Sequence, residues 1–446
     1  MKKIFKFALL SAAAFTLSMG FTACGDDDDD NGGGGGNVTT DQLKTATEAY
    51  LDNVVYPIYS NLANKADDLY NKIAALKTKL KGGNKATQSE IDNICADYKN
   101  ARDWWEKSEA FLFGAASDFD IDPHIDTWPL DLPVLAEDLK DNNKIARLDG
   151  TDGITWARTA GNLTPENLGF HGIEFIFFRN GKNRNVDIFN NDATEDDENF
   201  KGLAVTGLEE VIFATAVAGD LRDKCFQLEV SWLGNKAKAA HITRINECKQ
   251  ENADEFKTTV AKNGLSYGEN LARATASSSY SSWWKVLEEI FVGGCSNICA
   301  EVADQKMGQA YRAATSSSPT YHEGEDGEQE EDDPNYIESP YSHNSFTDFK
   351  GNILSIKFTL YGNTDANAST WSKNSIMAYL SDNYPSLAGT LNNKLNAAIA
   401  SLDACLNSGK AFVENPGATC VGAAMDAIGE LDDALNSTIN TILKAD

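Results

Sequence analysis

The sequence predicts an all-α protein of two tandem helical bundles, four-helix-bundle-like and related by an internal duplication. Three observations carry that expectation. Apolar residues recur at alternating three- and four-residue steps through most of the chain, as the buried face of a helix requires. Long strand-like alternations between turn signals are absent. "WWEKSEAFLFG" at 104–114 is echoed by "WWKVLEEIFVG" at 283–293, with Trp-Trp, a glutamate and a glycine in step. At 446 residues the chain is longer than one core usually holds, so domains are expected at 38–234 and 235–446.

The first element is not part of either bundle. Lys2, Lys3 and Lys6 precede an apolar run too short for a permanent span, which reads as a secretion signal over 1–23. Thr22-Ala23 before Cys24 fits a lipoprotein-type cleavage site, so Cys24 is the expected lipidation site. Residues 24–37, "CGDDDDDNGGGGGN", cannot bury apolar surface and read as a flexible tether. These features lead to an expected outer membrane lipoprotein, its partner the membrane through the lipid anchor. The acidic run after Cys24 favours the cell surface, and the periplasmic face is the alternative.

Loss of the three signal lysines would take the formal charge from −28 to −31. Such a field repels nucleic acid and anionic headgroups and attracts cations, while also keeping an exported protein in solution. No nucleic-acid partner is expected. Seven cysteines follow Cys24 without a CxxC pair, which excludes a zinc ribbon or thioredoxin-like motif, and their odd number leaves at least one unpaired.

Helical patterns run through 40–81, 87–113, 197–232, 281–313, 345–361, 384–408 and 418–444. Thr87 and Glu90 form a capping box that starts the second of these, with Ile91, Ile94, Cys95, Tyr98, Ala101, Trp105 and Ser108 along one face. The Trp-Trp pairs read as packing residues. A non-helical connection, "DFDIDPHIDTWPLD" at 118–131, follows the first, and the acidic "HEGEDGEQEEDDPNY" at 322–336 follows the second as a solvated loop.

The segment that invites chemistry is "GFHGIEFIFF" at 169–178. On a helix, His171 and Glu174 share a face and can offer an imidazole nitrogen and a carboxylate to one ion. Thr164 and Pro165 suit the cap and first turn of that helix. Imidazole with carboxylate suits iron or zinc, and bundles hold such pairs in their interiors. Two ligands are too few, and Glu109, Asp126 and Asp348 are the candidates to complete the set. The plain alternative is a His–Glu hydrogen bond that fixes two helices. "ESPYSHNSFTD" at 338–348 occupies a comparable place in the second half. Its Ser342, Asn344 and Asp348 can be ligand contacts or a helix cap.

"LGFHGIEFIFF" resembles the GxHxxE signature of the imelysin family, peptidase family M75, with Gly169, His171 and Glu174 at the signature places. "WWEKSEAFLFG" with "IDTWP" at 125–129, and "ESPYSHNSFTDFKGN" at 338–352, are similar to further family segments. Glu338, Ser339, Ser342, Asn344 and Asp348 match the latter, with Tyr341 and Ser345 as conservative replacements. The resemblance implies two helical bundles that look like duplicated copies and a role in bacterial iron acquisition. With the two motif segments at comparable places in halves that would face each other across a cleft, the expected site lies between the bundles, for iron or an iron-bearing ligand, with zinc or haem as alternatives and an iron-uptake receptor as partner. The assignment is His171, Glu174, Glu109 and Asp348 to metal, and Asp126, Ser342 and Asn344 to ligand contact.

The family's peptidase label supplies the second reading, an M75 metallopeptidase. It is weakened here because the His-Glu dipeptide, His322-Glu323, lacks the second histidine of HExxH, and no GxSxG elbow occurs. The third reading is a surface scaffold or adhesion protein in which the motif is structural.

Overall fold

The computed structural model describes residues 36–193, 200, 205–324 and 327–445. The secretion signal, the tether and Cys24 lie outside the described residues. Helix α1 (Gly36–Tyr50) passes through a π-type turn, Leu51–Val55, into α2 (Tyr56–Lys81). Helix α3 (Gln88–Glu106) starts as the sequence requires. The Glu90 carboxylate accepts from the Thr87 N–H at 2.8 Å, while the Thr87 hydroxyl accepts from the Glu90 N–H at 3.4 Å. Ile91, Ile94, Cys95, Tyr98, Ala101 and Trp105 are all buried along its inner face.

The connection after α3 is more ordered than expected. It contains the helical turns 115–118 and α4 (Asp122–Ile125), with Pro123 in the first turn of α4 and Asp126 at its end. His124 Nε2 lies 2.6 Å from Asp220 Oδ2 and ties α4 to a long helix that follows. The motif helix α5 (Gly169–Phe177) begins later than Thr164-Pro165 suggests, because those residues open a separate 3-10 turn. Gly169 sets the true start with φ 60°, and a Cβ there would collide with the Ile125 carbonyl. Glycine at this position thus lets α5 dock on the end of α4.

Helix α6 (Gly207–Leu233) is buried on nearly every side, packs against both α2 and α5, and is the spine of the first bundle. It starts at a cap in which Glu209 accepts from the Thr206 N–H at 2.6 Å, ten residues inside the stretch that periodicity assigned to it. In the second half α7 (Trp283–Glu288), α8 (Asn297–Ala300) and α9 (Gly308–Thr315) are joined through the π-type turns Glu289–Ser296 and Glu301–Lys306. Then come α10 (Ser345–Tyr361), α11 (Pro385–Leu406) and α12 (Thr419–Ala445), close to the expected spans. Among the described residues, two short antiparallel hairpins interrupt the helices. One of them, Tyr321–Glu323 with Gln329–Glu331, replaces the irregular acidic loop.

The apolar core runs through both halves without a break. The two Trp-Trp segments differ in setting. Trp105 closes α3 and is fully buried, whereas Trp283 and Trp284 open α7 and are half-buried. That sequence match therefore does not carry the duplication into the structure. Helix α3 crosses α10 where Gly351 faces Glu106, and a Cβ on Gly351 would lie 2.6 Å from the Glu106 Cβ. This crossing brings the polar faces of α3, α5 and α10 to one point. No helix among the described residues is long and apolar enough to cross a membrane.

A candidate metal centre among buried carboxylates

Arg102, on α3, is fully buried at the crossing and organises the site. Its guanidinium reaches Glu106 Oε1 and Glu338 Oε1, each at 2.6 Å, pairs with Asp126, and lies 3.6 Å from Asp348 Oδ2. Lys306 is also buried, with Nζ 3.3 Å from Glu338 and 3.7 Å from both Glu109 and Glu301. The same ammonium lies over the Trp128 ring, 5.1 Å from its centre.

His171 and Glu174 do come together inside this network. His171 Nε2 lies 3.0 Å from Asp126 Oδ1, and His171 Nδ1 lies 3.7 Å from Glu174 Oε2. One oxygen of Glu174 is committed: Oε1 accepts from the Tyr341 and Ser342 N–H groups at 3.2 and 2.7 Å and from the Ser342 hydroxyl at 2.7 Å. The motif glutamate therefore anchors the 338–344 loop with one oxygen. Its other oxygen, like His171 Nδ1, has no hydrogen-bond partner. Ser339 and His343 hold positive φ values of 51° and 57° in that loop, so its backbone is fixed in a conformation that non-glycine residues rarely adopt.

The other sequence candidates occupy different parts of the cluster. Asp126 sits at its centre, with Oδ2 accepting from the Trp105 indole at 2.7 Å. Glu109 is buried with neither oxygen accepting a hydrogen bond. Asp348 has both oxygens engaged, Oδ2 by the Ser339 hydroxyl and Oδ1 by the Asn344 amide, each at 2.5 Å. Ser342 and Asn344 thus reach from the loop to the carboxylates of Glu174 on α5 and Asp348 on α10. Sequence reasoning missed Arg102, Glu106 and Lys306, and left Glu338 without a role. Glu338 was marked by its place in "ESPYSHNSFTD", and Arg102 with Glu106 by the i,i+4 spacing on α3, but Lys306 carries no local signal.

Among the described residues, two sets of donor atoms lie within 4.8 Å of one another: Asp126, His171 and Glu338, and also Glu106, Glu109 and Asp126. Asp126 is common to both. Around them Glu106, Glu109, Asp126, Glu174, Glu338 and Asp348 are buried carboxylates, against Arg102 and Lys306 as permanent buried cations. Such an excess of negative groups away from water is unstable unless protons or bound cations offset it.

The ionisation of the site follows from that imbalance. Burial raises the Glu106 and Glu109 carboxyls well above the ordinary range, against Arg102 and Lys306 respectively, and pushes Asp348 up to about 7. Asp126 goes the other way: burial is outweighed by Arg102 and then by His171, which hold it below its ordinary value. For His171, burial disfavours the charged ring, but Asp126 and then Glu174 carry it up to about 9. The raised acids hold protons that the unfolded chain has released above its ordinary carboxyl range, so their contribution is lost as pH rises through the folded values. The His171 contribution is present in full below about 6.5 and is lost as pH rises through about 9. Asp126 contributes above its ordinary value and fails only in acid. Chelator-treated protein is accordingly expected to lose stability from pH 6 to 9, read as a falling urea midpoint. A saturating divalent cation should reduce that loss, because it takes the place of the protons. A midpoint that rises over this interval would contradict the ionisation pattern.

The family model described as Imelysin, peptidase M75, matches residues 55–435. Iron-regulated protein A of Synechococcus elongatus is 33% identical over 84 residues, covering 19% of this chain and 22% of that protein, so the match spans about a fifth of the relative's length. Among solved structures, an iron-regulated protein A precursor from Parabacteroides distasonis has a TM-score of 0.67 at 21% identity, covering 90% of this chain and 95% of the other. That likeness concerns the fold. An imelysin-like protein from Psychrobacter arcticum gives a TM-score of 0.49 at 14% identity, covering 90% and 93%. With the family pattern running through both helical halves and its GxHxxE residues gathered on one buried charge cluster, the chain belongs to the imelysin family.

Proposed function

We propose that this protein is an exported, lipid-anchored imelysin that binds iron within the buried cluster and delivers it to an uptake receptor. One observation carries the reading: carboxylates outnumber permanent cations around His171, and several of their lone pairs face the interior unpartnered. The residues suit a divalent ion of borderline hardness, which takes imidazole and carboxylate together. Asp126, His171 and Glu338 would hold it, with Glu174 Oε2 beside the imidazole and Glu109 and Glu106 as the adjoining acidic set. Donor atoms this close together favour a bare ion over haem. The names of the Synechococcus and Parabacteroides proteins support an iron connection. Cys24 would carry the lipid at the outer membrane, with the acidic tether spacing the bundles from the bilayer.

The test is elemental analysis of chelator-stripped protein equilibrated with ferrous iron and competing zinc, beside H171A/E174Q. The expected result is near-stoichiometric iron in the parent and at least a tenfold weaker hold in the variant. Metal bound equally by both would move the site away from the motif. No metal in either would leave the cluster as a proton-neutralised structural core.

A further inference from the structure

The cysteines contain a second chemical feature that the metal reading does not use. Helices α11 and α12 pack together as an antiparallel hairpin joined by 407–418. The buried seam of α11 runs Leu391, Leu395, Ala398, Leu402 and Cys405. The seam of α12 runs Val421, Ala424, Ile428, Leu431 and Leu435. Both follow alternating three- and four-residue steps, so the two helices keep a constant antiparallel register. The 407–418 connection closes the hairpin at the end where the last turn of α11 carries Cys405 and the first turn of α12 carries Cys420, one residue before the seam residue Val421, so the two thiols lie at the same end of the packed pair. Cys420 neighbours the Cys405 thiol directly and, after burial, is what raises it.

The remaining described cysteines are placed differently. Cys95 donates to the Phe177 carbonyl, Cys248 sits between Arg158 and Asp223, and Cys225 is enclosed within α6. Cys295 and Cys299 share one continuous helical stretch, where a bridge would join no separate elements. Cys420 is partly exposed, whereas the other six are buried, so an oxidant can reach it.

We propose that Cys405 and Cys420, both thiols in the structure, are the site of a disulfide that closes the C-terminal hairpin. The Cys420 thiolate attacks an oxidant disulfide and releases one thiol. The Cys405 thiolate then attacks the Cys420 sulfur of the mixed disulfide and releases the second. Two protons leave the cysteines, and the two electrons reduce the oxidant disulfide to two thiols. The cross-link would restrict the unfolded chain and pin the ends of α11 and α12 together.

The test uses the full chain incubated with oxidised glutathione, alkylated without reduction and mapped by peptide mass spectrometry, beside C420S. The expected product is a 405–420 cross-linked peptide, with Cys95, Cys225, Cys248, Cys295 and Cys299 alkylated only after unfolding. Oxidised parent protein should melt several degrees above its reduced form, a difference absent from C420S. Alkylation of both Cys405 and Cys420 after oxidation, or a bridge to another cysteine, would overturn the assignment. This outcome is independent of whether the buried cluster binds iron.

Discussion

Replacing Arg102 with methionine is expected to destabilise the chelator-treated protein by ~3–5 kcal/mol, the scale for removing one partner of a buried ion pair. Methionine keeps much of the length and packing of the arginine stem, so the change acts mainly through charge. It leaves Glu106, Asp126 and Glu338 without their principal partner, and Asp348 without a near one. Those carboxylates must then protonate or bind solute cations to stay buried. Urea denaturation near neutral pH measures the loss, and Lys394→Met provides the contrast. Lys394 pairs with Glu430 at 2.7 Å, but the two side chains are 37% and 59% exposed, so its removal is expected to change stability by under about 1 kcal/mol. If Arg102→Met were as tolerant as Lys394→Met, Arg102 would not be what holds the buried acids together.

The same four contacts show what was legible in the sequence. All four acids that Arg102 serves lie on segments the sequence singled out: Glu106 in "WWEKSEAFLFG", Asp126 in "IDTWP", and Glu338 and Asp348 in "ESPYSHNSFTD". The helix carrying Arg102 was legible too, because a capping box and an apolar face are local features that the structure reproduces from Thr87 to Trp105. The pairing of Arg102 with Glu338 was not, since it joins residues 236 apart through the crossing of α3 and α10. A charged residue on a helix reads as solvent-facing until that crossing places it inside. Lys306 is the plainest case. It closes a π-type turn in an acidic, polar stretch, and only the surrounding Glu109, Glu301 and Glu338 make its burial intelligible.

Glu174 shows a different limit. The i,i+3 spacing placed it beside His171, as the structure does, but spacing could not divide its oxygens between two tasks. One holds the loop at Tyr341 and Ser342, and the other stays unpartnered next to the imidazole. Likewise α6 begins at Gly207 behind the Thr206–Glu209 cap, while residues 197–199 and 201–204 of the span expected at 197–232 lie outside the described residues. Periodicity finds the face of a helix better than its ends.

Lys306→Met is expected to tighten ferrous-iron binding by at least tenfold while making the metal-free protein less stable. The ammonium shares its carboxylates with any incoming ion, since Glu338 belongs to the donor set around His171 and Glu109 to the adjoining one. An ion entering the native cluster is therefore repelled by a fixed positive charge and finds those lone pairs already partly neutralised. A charge about 4 Å away is worth roughly 4 kcal/mol even at an effective dielectric constant of 20, ample for a tenfold effect after the acids relax or protonate. Competition titration against a chelator of known affinity measures the binding, and urea midpoints with and without iron measure the coupled change in stability. Unchanged or weaker binding would mean that Lys306 does not contest the ion. The predicted direction fits delivery better than storage: a fixed ammonium beside Glu109 and Glu338 offsets part of their charge as the ion departs, and protons on the raised acids offset the rest, so release need not leave a bare cluster of buried negative charge.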